Sequence, residues 1–308
     1  MRNKIKVVLP LVLKILLGII FCVSAVMKII GMDAFEIYIY SYGFFSLNVT
    51  FLLARVAVIT ELFLGVGLIV NCMHKEVWWA CITMLIGYSL FLGYALYLGR
   101  TDNCHCFGEL VDLDPRQSLL KNILLLLLFL LVYHVKPLSM RRQLLLMSSL
   151  AVLSAVLVFV ISPPDFLTSD FRRQQDMSES LYKETFYERP YDTLRLDEGK
   201  KIVALFTTGC SFCQMSASKL TVMQKQLGIP QDDVFIIFVG SLEGIDAFYE
   251  KARSARFSFL LYDDVNQFLR ITDGNFPLVI LSDEGQIKHK LGFRSLDENL
   301  VKSFFLME

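Results

Sequence analysis

The chain has 308 residues, room for about two domains. Its mean hydropathy of +0.52 and 55% hydrophobic content exceed what a soluble globular protein carries. Formal charge is zero overall but divides, with 13 Lys+Arg and 8 Asp+Glu in residues 1–162 against 17 and 22 in residues 163–308, and no basic aromatic surface argues for nucleic acid.

A spanning helix needs about 20 apolar residues. Segments 7–29, 50–70, 77–98, 119–135 and 144–161 meet that condition. Arg2, Lys4 and Lys6 form a basic start and Val23-Ser24-Ala25 imitates a cleavage site. The apolar run is long and more spans follow, so an uncleaved anchor is expected. Residues 31–48 are too polar to span and read as an interfacial or re-entrant helix. Trp78-Trp79 suits an interfacial belt at the start of the third span. The positive-inside rule places Arg2, Lys4, Lys6, His74-Lys75, Lys136, Arg141 and Arg142 in the cytoplasm. The loop 100–117 and everything after residue 162 then fall outside. A bacterial inner membrane is expected, with the second half of the chain periplasmic or extracytoplasmic.

That outer loop holds Cys104-His105-Cys106-Phe107-Gly108. A Cys-x-Cys disulfide closes a very small ring, which makes it strained, oxidising and labile. His105 could take a proton from, or lend charge to, either thiol. The alternatives are separate structural pairings, or Cys-His-Cys gripping a soft metal such as copper.

Ionisable groups inside a membrane invite a functional reading. Counting from the cytoplasmic ends, Lys14 and Glu61 lie about 12 and 15 Å deep, and Cys22 and Arg55 both about 24 Å deep. A Lys14–Glu61 pair, structural or proton-handling, is therefore expected, and Arg55 could favour a Cys22 thiolate relaying to the loop. Cys72 and Cys81 read as inert, and Lys28 as a snorkelling end residue.

Beyond Pro163-Pro164 the composition changes. Residues 163–191 read as a linker, with a short amphipathic helix around 178–187. From about 192 strands alternate with helices. Strand 201–206 leads through Thr207-Thr208-Gly209 to Cys210-Ser211-Phe212-Cys213, which opens a helix over 210–226. Strand 233–240, helix 241–252, an extended run 257–262, a short helix 265–271, a hairpin of 278–282 with 286–293, and helix 296–305 follow. Strand, turn, then Cys-x-x-Cys at a helix N-terminus is the layout of a thioredoxin-like redox site. Free N–H groups and the helix dipole favour the Cys210 thiolate, which would attack, and Cys213, one turn on, would resolve. A structural disulfide or half a zinc site is the alternative; zinc needs more ligands, and after residue 200 only His289 is of a suitable kind. No metal is assigned.

The first four spans resemble the MauE/DoxX type of redox-associated membrane protein. The residues that carry the resemblance are Lys14, Gly18, Phe21 and Lys28, then Glu61, then Cys104-His105-Cys106-Phe107-Gly108 before Asn122. The resemblance covers about residues 6–135 and implies handling of disulfides in exported proteins. The plan is also similar to bacterial vitamin-K-epoxide-reductase-like proteins fused to thioredoxin. This chain departs from those because no Cys-x-x-Cys lies in a membrane helix, so no cofactor is firmly implied and a quinone stays open. Resemblance to thioredoxin-like folds implies that Pro277 is a cis-proline facing the Cys pair; otherwise it simply starts a strand. Gly209 in place of tryptophan, and Ser211-Phe212 in place of Gly-Pro, leave potential and substrate choice untransferred.

The expected architecture is an α membrane bundle, with a four-helix core in 1–135 and a fifth span in 136–162. A linker, 163–191, and an α/β thioredoxin-like domain, 192–308, follow. The expected activity is thiol–disulfide oxidoreduction on exported protein thiols and disulfides, with a relay between the two cysteine pairs. Copper handling and a non-catalytic assembly factor are the alternatives.

Overall fold

A computed structural model of the chain describes residues 2–71, 73–109, 112–133, 143–168 and 175–306. Cys72, Lys136, Arg141 and Arg142 lie outside the described residues, as do the side chains of Arg2, Lys4 and Lys6. Contacts divide the chain into two compact units, Met1–Ile39 with Thr50–Pro164, and Tyr40–Val49 with Asp165–Glu308.

The first unit contains α1 (Arg2–Ile30), α2 (Met32–Tyr40), α3 (Leu47–Val70), α4 (His74–Tyr97), a short extended segment β1 (Cys106–Glu109), α5 (Pro115–Val132) and α6 (Gln143–Ile161). Five of these helices, all but α2, are long and apolar enough to cross a membrane. Their outward faces are apolar, as with Leu124, Leu127 and Leu131 on α5, which suits a lipid environment. Leu17, Leu68, Trp78, Leu85 and Phe129 join α1, α3, α4 and α5 in one buried cluster. Trp78 is buried and its Nε1 donates to the Phe129 carbonyl at 2.8 Å, while Trp79 is the exposed one of the two. Gly18 and Gly65 bring α1 and α3 together, since a Cβ on Gly18 would stand 2.7 Å from the Gly65 carbonyl oxygen. α5 starts at a capping box, in which Asp114 Oδ1 accepts from the Gln117 N–H at 2.7 Å and Gln117 Oε1 accepts from the Asp114 N–H at 3.2 Å.

The second unit contains α7 (Asp165–Thr168), α8 (Glu179–Phe186), β2 (Lys200–Thr207), α9 (Ser211–Leu227), β3 (Val234–Val239), α10 (Leu242–Ala252), β4 (Ser258–Leu261), α11 (Val265–Thr272), β5 (Leu278–Asp283), β6 (Gln286–Leu291) and α12 (Glu298–Leu306). The sheet order is β4-β3-β2-β5-β6, with β2, β3 and β4 parallel and β5 and β6 antiparallel to their neighbours. This βαβ followed by ββα arrangement is the thioredoxin-like fold. Period-two alternation sends Val203 and Leu205 into a core shared with α8 and α11. Phe206, on the opposite face, meets Phe248 of α10 with ring centroids 6.0 Å apart.

The sequence reads 163–191 as a linker and starts the domain at 192. In the structure Tyr182 and Phe186 of α8 are fully buried in the sheet's core, beside Phe268 and Ile271. α8 is polar on average but aromatic on one face, and that face is what the sheet covers. The packed region therefore starts before residue 192.

Candidate functional site

β2 runs into a turn at Thr207, and α9 begins immediately after Cys210, which is the N-cap. The Cys213 N–H points at Cys210 Sγ, 3.2 Å away. Cys210 is partly exposed and Cys213 is fully buried. A hydrogen bond from the Cys213 thiol, then the backbone N–H groups of Cys213 and Phe212, hold the Cys210 thiol down at about 6 against the cost of burial. Burial, then proximity to Cys210, pushes the Cys213 thiol far up. The pair is thus one ready thiolate and one retained thiol. Leu205 pairs with Leu278, so Pro277 stands at the β2 end that leads to the turn. The Phe276–Pro277 peptide bond is cis. Phe212 lies on the surface beside Phe293, with centroids 5.2 Å apart.

The loop between α4 and α5 holds the second pair. Cys104 and Cys106 sulfurs are 2.6 Å apart. Cys104 Sγ also meets Ser118 Oγ at 2.9 Å, and the Cys106 carbonyl accepts from Ser24 Oγ at 2.9 Å. Gly108 makes this docking feasible: its φ is +62°, and a Cβ there would stand 2.3 Å from the Met27 carbonyl oxygen of α1. The hydrogen bond from Cys104, then the charges of Lys121 and Lys28, hold Cys106 at about 6 despite burial. Donating that bond, together with burial, pushes Cys104 far up. His105 does not lend charge: burial lowers its pKa and keeps it neutral, with its ring edge-on to Tyr38 at 5.9 Å.

Inside the bundle the expected pairings change. Lys14 does not meet Glu61. Its Nζ donates to Asn71 Oδ1 and lies 2.8 Å from His74 Nδ1, at the turn between α3 and α4. Glu61 takes Lys28 instead, at 2.5 Å, so Lys28 is buried and does not snorkel. Counting residues from segment ends failed because the Gly18–Gly65 contact, not the end of the apolar run, sets how far α1 slides along α3. Arg55 pairs with Glu36 and donates to the Phe51 and Ser162 carbonyls, both at 2.8 Å. Cys22 packs against Gly65, where a Cβ would stand 2.7 Å from its sulfur, so Arg55 is committed elsewhere and no Cys22–Arg55 contact forms. Cys81 is buried in the apolar cluster.

Ser24, Ser118, Lys121 and Tyr88 around the loop pair were not singled out from sequence. Ser118, Lys121 and Asn122 sit within about one turn of α5, a spacing that could have linked the first two to Asn122. Among the described residues no group of three or more His, Cys, Asp or Glu side chains converges as a metal site.

Residues 6–135 match the family model described as Methylamine utilisation protein MauE. The chain is 24% identical over 286 residues to Protein TlpB of Flavobacterium psychrophilum, covering 75% of this chain and 76% of that protein. It is also similar to the crystal structure of the thioredoxin domain of a thiol-disulfide oxidoreductase from Bacteroides vulgatus. That match has 23% identity and a TM-score of 0.29, over 36% of this chain and 81% of that one. A solution structure of a thiol:disulfide interchange protein from Bacteroides sp. is similar at 21% identity and TM-score 0.29, over 36% of this chain and 76% of that one.

Proposed function

We propose that this chain, a MauE-type multi-pass membrane part joined to a thioredoxin-like domain, is a membrane thiol–disulfide oxidoreductase with two cysteine stations. The observation that carries the reading is the geometry of the two pairs: Cys210 caps α9 with the Cys213 N–H 3.2 Å from its sulfur, and the Cys104 and Cys106 sulfurs stand 2.6 Å apart in the loop before α5. Each has one thiol held near 6, Cys210 or Cys106. Each has a buried neighbour pushed far up, Cys213 or Cys104. A thiolate attacks disulfides while its protonated neighbour waits to resolve the mixed disulfide.

Starting from the Cys210/Cys213 dithiol, the Cys210 thiolate attacks a client disulfide, and one client sulfur leaves as a thiolate. Cys213 loses its proton and displaces the second client sulfur. The client gains two electrons and the Cys213 proton, its second thiolate takes a proton from water, and Cys210–Cys213 closes as a disulfide. The Cys104/Cys106 dithiol then reduces that disulfide by the same two displacements, starting from Cys106. With the opposite starting states each step runs in reverse. The backbone of Phe276, before Pro277, is the surface against which the client strand lies.

Two spans, α5 and α6, separate the loop pair from the thioredoxin-like domain, so both stations face the same side of the membrane. With the N-terminus in the cytoplasm that side is extracytoplasmic, where exported proteins carry disulfides. The test combines Cys213→Ala with Cys104→Ala in the full chain. A Cys210–Cys106 mixed disulfide, read by mass spectrometry, is expected. If Cys210 forms adducts only with other proteins, the relay is overturned while interchange with clients stands.

A further inference from the structure

Beside the Cys106 loop the bundle holds a partly open cavity of about 20 Å³, lined among others by Ser24, Lys28, Glu61, Tyr88, Cys106 and Asn122. That is room for about one water. Lys28 and Glu61 are 2% and 5% exposed and bonded to each other. Lys28 Nζ also donates to Ser24 Oγ at 2.9 Å, and Ser24 Oγ donates to the Cys106 carbonyl at 2.9 Å. A continuous polar chain therefore runs from Glu61 to the Cys106 backbone. The Tyr88 hydroxyl is buried and has no hydrogen-bond partner among the described residues. Its ring lies under the Lys28 ammonium at 5.6 Å. A buried hydroxyl that lines a water-sized cavity and bonds to nothing marks the place where a water belongs.

A buried pair is often no better for stability than well-packed apolar residues of similar volume. We propose that Lys28, Glu61, Tyr88 and the water they enclose form a proton-exchange site that trades one proton between Glu61 and the Cys106 thiol. This rests on Cys106 acting as a thiolate. The trade is Cys106–SH plus Glu61 carboxylate giving Cys106 thiolate plus Glu61 carboxylic acid. The Lys28 ammonium is unchanged, and the trade itself leaves the net charge of the site constant. When the thiolate attacks a disulfide, its electron pair enters the new S–S bond and the departing sulfur carries the negative charge away. Glu61 then returns its proton to solvent by way of the water and recovers Lys28, and the departing thiolate takes a proton from solvent. The other ionisable groups facing this chemistry are Lys121 on α5, Cys22 on α1, and Cys104 and His105 on the loop.

The test measures Cys106 alkylation by iodoacetamide against pH in the reduced full chain in lipid nanodiscs, read at that residue by mass spectrometry. Glu61→Gln removes the competing anion and lowers the half-maximal pH; Lys28→Met removes the cation and raises it, each by about 1–3 pH units. The double variant falls between them. The infrared difference between dithiol and disulfide forms contains a protonated-carboxyl band that Glu61→Gln abolishes, a readout that stands even if Lys28→Met fails to fold. Shifts of the same sign, unmoved profiles, or no such band overturn the proposal. Opposite shifts without any Cys210–Cys106 adduct keep the proton site and overturn only the relay.

Discussion

At the start of α9 and in the loop before α5, one thiol of each pair is held near 6, and in both places the first cause is a hydrogen bond from the other cysteine. The remaining support differs. Cys210 draws mainly on the backbone N–H groups of Cys213 and Phe212, with a smaller part from the Thr207 hydroxyl. Cys106 draws on the side-chain charges of Lys121 and Lys28. Backbone donors come with the helix, do not titrate, and survive any substitution other than proline. Lysine charges can be removed, or offset by a carboxylate such as Glu61. The thioredoxin-like pair is thus fixed by its fold, and the loop pair is adjustable by its neighbours.

The largest effect that probes this comparison is loss of either attacking thiol. Cys210→Ser should lower client disulfide exchange on the order of 10³-fold or more, and Cys106→Ser should block electron transfer between stations as completely while leaving Cys210 able to form client adducts. Stopped-flow exchange assays and thiol trapping separate the two. In the wild type, alkylation of Cys210 and of Cys106 should both reach half-maximum below the ordinary thiol range, because each thiolate persists to lower pH than a free cysteine's. Cys213 and Cys104 should resist alkylation well above neutral pH.

Gly108→Ala comes next. The added Cβ collides with the Met27 carbonyl, and the left-handed φ disfavours alanine. A cost of about 1–3 kcal/mol is expected. It should appear as a lower thermal midpoint of the membrane unit and a higher alkylation pH for Cys106, with the Cys210 profile unmoved. Lys121→Met should raise the Cys106 half-maximal pH by about 1 unit and leave Cys210 unchanged. An equal shift at both cysteines would break the distinction between side-chain and backbone support. Phe212→Ala should have the smallest effect, about 0.5–1.5 kcal/mol from the lost contact with Phe293. Calorimetry of the thioredoxin-like transition measures it, and the Cys210 pH profile should hold.

The sequence by itself determined the elements and the two motifs. Five apolar runs long enough to span appear as α1, α3, α4, α5 and α6. Continuous apolar strands, the hairpin of 278–282 with 286–293 and the helix after Cys210 foretell β2 to α12 closely. These signals are local: periodicity, turn residues and caps are written in neighbouring positions. Only tertiary structure decided which charge meets which. Lys28 rather than Lys14 reaches Glu61, and Glu36 rather than Cys22 takes Arg55, because close packing at Gly18 and Gly65 sets the slide of α1 on α3. No count along one helix contains that slide. Nor could it show that Tyr182 and Phe186, in a segment polar on average, complete the core of the sheet. Pairings across helices depend on how surfaces interlock, and that is a property of the packed chain.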